Sequence, residues 1–312
     1  CYIYHTRKTH VISIRVSSLQ RIKTNCGTKM ANLNCYNYLN LIVFAINALT
    51  TFGASKFLNF PDQTELSEKY TTIITPDGPT FAIWGVIFLS EGIFAILQML
   101  PAFRSLRVVQ DGIRYWFALA CLAQSGWVLA FGYEILILSL VFMGLILISL
   151  FRIITLQSHI RKSDSEKFYF WECRFPFAIH CGWIFLAFAL NVNVVLVSRS
   201  DSETLQAIFG ALSILGFIGV ITYIELSVQG GPNYTIMAVF AWASAGIVRA
   251  LRNPSDNLLD IFSDEVIKSF MIASAIFCAG VLCTIAVFIF KSRKTQTSSS
   301  TLTPNPTSPL LA

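Results

Sequence analysis

The chain has 312 residues, 54% of them hydrophobic and 13% charged, with a mean hydropathy of +0.62. A soluble globular domain carries about 25% charged residues, so that class is excluded. The net charge of +6 is better read as membrane topology than as a nucleic-acid surface.

Residues 1–35 form a basic leader. No acidic residue occurs before Lys56, and the leader's Ser and Thr content resembles a transit peptide. The alternative is that Met30 is the initiator and the leader lies outside the native protein. Beyond it, charges withdraw from a series of stretches, among them Lys29 to Lys56, Arg114 to Glu134, Glu134 to Arg152 and Arg174 to Arg199. Each gap matches the roughly 17–25 residues that a helix needs to cross the hydrocarbon. Runs such as Ile135–Phe151 are apolar on every face, which rules out the alternating strands of a membrane barrel. The expected fold is an all-α polytopic membrane helix bundle of about eight transmembrane helices, near 36–55, 80–100, 115–133, 135–155, 175–198, 204–224, 233–250 and 269–290. The second opens at Thr75–Gly85, TPDGPTFAIWG, where Asp77 or Gly78 can cap and Pro79 suits the first turn. A disordered tail is expected over 291–312, rich in Ser, Thr and Pro from Thr295.

With both termini inside, cytoplasmic loops and tail hold eleven Lys and Arg and the outer loops six. The positive-inside rule therefore places both termini in the cytoplasm. The eight cysteines form no CxxC pair, and no Walker loop, GxSxG or HExxH occurs. Neither a zinc site, a disulfide scaffold nor an enzyme is expected.

Polar groups inside spans cost on the order of 2.5–3.5 kcal/mol at the helix centre and are functional candidates by default. On the second span Trp84, Phe88, Glu91 and Ala95 share one stripe. On the third Ala120, Gln124, Trp127 and Phe131 share another, and on the fifth Pro176, His180, Trp183, Ala187 and Asn191. A pocket between these stripes is aromatic-walled with a few polar anchors, the usual make-up of a small-molecule site. The plainer reading of each stripe is packing: Glu91 as a protonated acid bonded to a neighbouring helix, Gln124 and Asn191 as interhelical glue, His180 as a packing histidine.

Three stretches together resemble the TspO/MBR family, the tryptophan-rich sensory proteins that include the translocator protein. They are Thr75–Phe88, with Trp84 after a Pro-rich lip; CLAQSGWVLAFGYE at Cys121–Glu134, followed by a very short turn; and FPFAIHCGWIFLAFALN at Phe175–Asn191, with Trp183, Ala187 and Asn191 at i, i+4 and i+8. The resemblance covers 36–198, a five-helix unit, and is closest to longer members with extra helices, here 199–290. It implies a pocket under the first loop for a flat hydrophobic molecule such as a tetrapyrrole, lined by Trp84, Trp127, Trp183, Ala187 and Asn191. The family's Lys-Pro element in the first loop and the sterol-associated Tyr after the fifth helix are absent here, which weakens sterol binding in particular.

The ligand-binding set expected is Trp84, Phe88, Glu91, Gln124, Trp127, His180, Trp183, Ala187 and Asn191. No cofactor is required beyond a bound tetrapyrrole or lipid, and no metal site is expected. The expected partners are membrane lipid and a hydrophobic small molecule, with a homo-oligomer as a further option and no nucleic acid. The rival functions are a proton-coupled secondary transporter using Glu91 and a non-catalytic membrane scaffold.

Overall fold

The computed structural model describes residues 33–160, 170–227 and 233–300; most of the leader and the end of the tail lie outside them. Among the described residues there are helices and turns but no strand. Seven helical segments are long and apolar enough to cross a membrane. An eighth, the third expected span, is a shorter apolar helix of 17 residues, about 25 Å long at 1.5 Å per residue. The protein is an all-α polytopic membrane bundle, and from Asn34 onward its helices pack as one compact unit.

Helix α1 spans Cys35–Leu58 and starts at a capping box in which Asn34 and Asn37 each accept from the other's backbone N–H. It ends at Asn59, whose positive φ of 55° turns the chain into the first loop. Three asparagines form its inward face. Asn37 donates to the Gln98 carbonyl (3.1 Å), Asn40 to the Arg114 carbonyl (3.0 Å), and Asn47 to the Gln124 side chain (3.3 Å). Between helices that gain no hydrophobic drive from lipid, such amide bonds fix the docking.

The first loop contains a short helix, α2 (Gln63–Lys69), capped by Asp62 and Glu65 in a second capping box. A 3₁₀ turn at Gly78–Ala82 then leads into α3 (Ile83–Leu97). A short helix, α4 (Pro101–Arg104), and a π turn at Val108–Ile113 connect to α5 (Trp116–Gly132). Glu134, at φ 57°, makes the tight turn into α6 (Leu136–His159). A π turn at Phe170–Arg174 opens α7 (Phe175–Val197), with Pro176 in its first turn. The chain continues through α8 (Glu203–Ser227), α9 (Tyr234–Arg252), α10 (Asp256–Ile261) and α11 (Asp264–Ser300).

Helix α7 is the hub. It packs against α3, α6, α8 and α9, while α5 joins α1 to α6 and α11 packs on α9. Burial follows this order: 67% of the most apolar stretch of α7 is buried, against 11% for α11. The exposed Leu, Ile and Phe of α1, α8 and α11 face the hydrocarbon, where such residues carry no penalty. At Gly182 the backbones of α7 and α9 nearly touch. A Cβ there would lie 3.1 Å from the Val239 side chain and 3.3 Å from the Ile236 Cα.

One boundary differs from expectation. Helix α11 runs to Ser300, through the first ten residues of the stretch 291–312 expected to be disordered. Extending a helix already nucleated by a long apolar run gains one backbone bond per residue without a new nucleation cost, so the helix outlasts the hydrophobic pattern.

A Trp-lined cavity beneath the first loop

A cavity of about 210 Å³ lies between α1, α3, α5 and α7 under α2. Helix α3 supplies Trp84, preceded by Phe81 from the 3₁₀ turn; α5 supplies Trp127 and Phe131; α7 supplies Trp183, Ala187, Leu190, Asn191 and Val194. The roof is Gln63, Thr64 and Ser67 of α2, and the flank is Thr51 and Phe52 of α1. Among the described residues, no charged side chain lines it.

Its rings are held by one another. Trp127 stacks on Phe131 at 5.3 Å with 13° between planes. Trp183 stands edge-on to Phe81 (5.5 Å) and to Trp84 (6.1 Å). Such tilted pairs contribute about 0.5–1.5 kcal/mol each beyond area burial and leave few alternative packings. The Nε1–H groups of Trp127 and Trp183 are buried and have no hydrogen-bond partner among the described residues. An unsatisfied buried donor costs roughly 1–3 kcal/mol, which an acceptor brought by a ligand would recover. The Asn191 Oδ1 accepts from the Ser139 hydroxyl at 2.8 Å, which ties α7 to α6 and fixes that amide at the wall.

Of the nine expected site residues, five reach the cavity wall: Trp84, Trp127, Trp183, Ala187 and Asn191. The other four lie around it. Phe88 packs against Phe52 (4.8 Å) and Phe44 (6.1 Å) rather than entering the cavity. Gln124 is turned to Asn47 of α1. Glu91 and His180 meet each other, Oε1 to Nδ1 at 2.7 Å, fully buried behind Trp84.

The lip of the cavity holds residues that the stripes did not point to. Asp77 sits at the N-cap position of the 3₁₀ turn, but its carboxylate makes no cap bond to the backbone. It accepts instead from the Thr80 hydroxyl and, bidentately, from Arg249 of α9 (Nε at 2.7 Å, Nη2 at 2.9 Å). Arg249 also donates to the Thr80 hydroxyl (3.0 Å), Trp242 donates to the Thr80 carbonyl (3.0 Å), and the Asp77 N–H donates to the Gly246 carbonyl (3.3 Å). The guanidinium holds the Asp77 carboxyl below its ordinary range. A Cβ on Gly246 would fall 2.1 Å from Thr80 Oγ1, so only glycine lets α9 approach this closely.

The roof is pinned separately. Glu134, in the α5–α6 turn, accepts from Lys69 at 2.5 Å and from the Tyr70 hydroxyl. Lys69, followed by Tyr70, draws the Glu134 carboxyl below its usual range. Asn257 of α10 donates to the Glu68 carbonyl (3.2 Å). Segments 59–70 and 75–82 are thus tied to the bundle by polar contacts that a hydrophobic pattern does not record.

No curated protein and no solved structure matches the chain. A family model described as TSPO-like protein matches residues 36–290. The match runs past 36–198 and takes in α8, α9 and α11, the helices that follow the five-helix unit. By that match over most of its length, the chain belongs to the TSPO-like protein family.

Proposed function

We propose that this integral membrane protein binds a flat hydrophobic small molecule, of which a tetrapyrrole is the best-fitting class, in the cavity beneath α2. The observation that carries the reading is the convergence of Trp84, Trp127 and Trp183 on one uncharged cavity. Three indole faces suit a broad π-system, and the two unpartnered indole N–H groups suit its acceptor atoms. The cavity, at about 210 Å³, is below the 300–1,000 Å³ of a typical ligand site. A molecule of tetrapyrrole size therefore inserts one edge and draws α2 back.

The role is binding, with transport or sensing as its use, and not catalysis. Both termini face the cytoplasm by the Lys and Arg distribution, and the surrounding lipid is the second partner. The transporter reading keeps one observation in its favour, the buried Glu91–His180 pair at mid-bundle.

The test is titration of the purified chain in lipid nanodiscs with a porphyrin, following tryptophan fluorescence. Saturable quenching is expected, and Trp183→Phe weakens the apparent affinity at least tenfold. Quenching that rises linearly with porphyrin and is the same in Trp183→Phe contradicts the proposal.

A further inference from the structure

The buried acid and the buried imidazole in the described part of the molecule are not in the cavity wall. Glu91 on α3 is 0% exposed and His180 on α7 is 2% exposed. Glu91 is the sole charged residue type among the buried described residues. Oε1 and Nδ1 lie 2.7 Å apart, a hydrogen-bond distance, while Glu91 Oε2 and His180 Nε2 have no partner among the described residues.

With one shared proton the pair is neutral overall, whether written as acid and imidazole or as carboxylate and imidazolium. That neutrality makes its burial tolerable, because an uncompensated charge in a helix bundle costs several kcal/mol. The two atoms without a partner among the described residues keep further bonding capacity: Nε2 can take up a proton, and Oε2 can accept a bond.

Few other ionisable groups surround it. Cys121 of α5 is buried nearby, beside Asn47 of α1. Helix α1 presents asparagines and carries Lys56 only in its last turn. On α7 itself the neighbour is Cys181. The π turn packed on α3 and α7 carries Glu172, Cys173 and Arg174, with Arg174 committed to the Gln157 carbonyl (3.2 Å). Helix α6 has Arg152 and His159 towards its C-terminal end, α9 has Tyr234, Arg249 and Arg252 at its two ends, and α8 begins at Glu203. No lysine or arginine lies within the middle turns of α3, α5 or α7 to neutralise a second charge state.

We propose that Glu91 and His180 form an intramembrane proton-binding site that titrates as one unit, and that its charge is read by the cavity through Trp84. The Trp84 ring is set edge-on to the His180 imidazole (5.7 Å, 73°) and to Trp183 (6.1 Å, 84°), so one side chain touches both the pair and the cavity wall. Uptake of one proton from solvent turns the neutral pair into a cation, separated from the cavity wall by the Trp84 ring alone. An acidic ligand in the cavity favours that cation. By reciprocity, ligand binding draws a proton onto the pair, and the ligand binds more tightly as pH falls, by at most tenfold per pH unit.

The second clause rests on the proposed cavity function; the first does not. Two experiments on the full chain in nanodiscs keep them apart. The first is an infrared pH titration without ligand from about pH 4 to pH 9, which brackets the ordinary carboxyl and imidazole ranges. In the wild type a carboxyl band and an imidazole band change with a common midpoint. In Glu91→Gln the carboxyl band disappears, and in His180→Gln its midpoint moves. A wild-type protein whose buried carboxyl and imidazole bands stay constant, or titrate with separate midpoints, overturns the site without recourse to any variant. The second is the affinity for a porphyrin dicarboxylate across the same range. It is expected to rise as pH falls in the wild type and to stay flat in Glu91→Gln; equal pH dependence in both removes the link to the cavity. If the porphyrin does not bind at any pH, the cavity function and the link to it fall together, and the infrared titration alone decides the proton site.

Discussion

Substituting Gly246 by alanine tests the lip most sharply, because the structure sets the scale. The new Cβ would lie 2.1 Å from Thr80 Oγ1 and 2.9 Å from Pro76 Cβ. Thr80 is fully buried and its hydroxyl is held by Asp77 and Arg249, so it cannot swing aside. Restoring an ordinary contact of about 3.4 Å requires the lip to retreat by roughly 1.3 Å. That movement carries the Arg249–Thr80 and Trp242–Thr80 bonds, both 3.0 Å, and the Asp77–Gly246 bond, 3.3 Å, beyond hydrogen-bonding range. Three bonds at about 1 kcal/mol each give a loss of roughly 3 kcal/mol. Unfolding in mixed micelles measures it, and Gly78→Ala in the same lip is the control, since a Cβ there meets nothing within 4 Å. Gly246→Ala as stable as the wild type, or Gly78→Ala equally damaging, refutes the reasoning.

The Asp77 carboxyl is held below its ordinary range, first by Arg249, so its folded value lies below its unfolded one. The stabilisation is present above the unfolded value near 4 and is lost as pH falls through the folded one. Asp77→Asn is accordingly expected to lower the melting temperature at pH 7 and to match the wild type at the acid end, below the folded value; a constant difference at every pH contradicts this. Glu91→Leu leaves the His180 imidazole buried without its partner and is expected to cost about 1–3 kcal/mol. Glu91→Leu combined with His180→Phe should cost clearly less than the sum of the two single changes, and additive costs in a double-mutant cycle would count against the pairing. Lengthening Phe60's neighbour by Gly132→Ala places a Cβ 2.4 Å from the Phe60 ring. It should loosen the first loop, read as faster proteolysis between 59 and 70, and an unchanged rate would argue against the loop being packed there.

The membrane helices were legible because charge-free runs of span length have one physical solution in lipid, a helix that satisfies its own backbone. The aromatic side of the cavity was legible too, since helical periodicity puts Trp84, Trp127 and Trp183 each on a stripe that also carries a polar group. What periodicity cannot give is which stripes face each other, and so Gln124 went to Asn47 and Phe88 to Phe44 and Phe52. The Glu91–His180 pair falls between these cases. Each residue stood out alone, but their meeting depends on the rotation of α3 against α7. The α2 capping box is readable in Asp62-Gln63-Thr64-Glu65, a local signal inside the first loop. The Arg249–Asp77 clamp was not readable, because a pair 172 residues apart in sequence leaves no trace in spacing.

The central claim is that the cavity beneath α2 is where a flat hydrophobic ligand binds, and Ala187 tests it most directly. Its methyl group lines the wall between Trp183 and Asn191, so Ala187→Phe fills the space while leaving every tryptophan in place. Calorimetric titration of the nanodisc-embedded protein with a porphyrin should show one saturable site in the wild type and no measurable heat in Ala187→Phe, with both proteins melting cooperatively. Equal affinity in the two would place the ligand elsewhere and contradict the account.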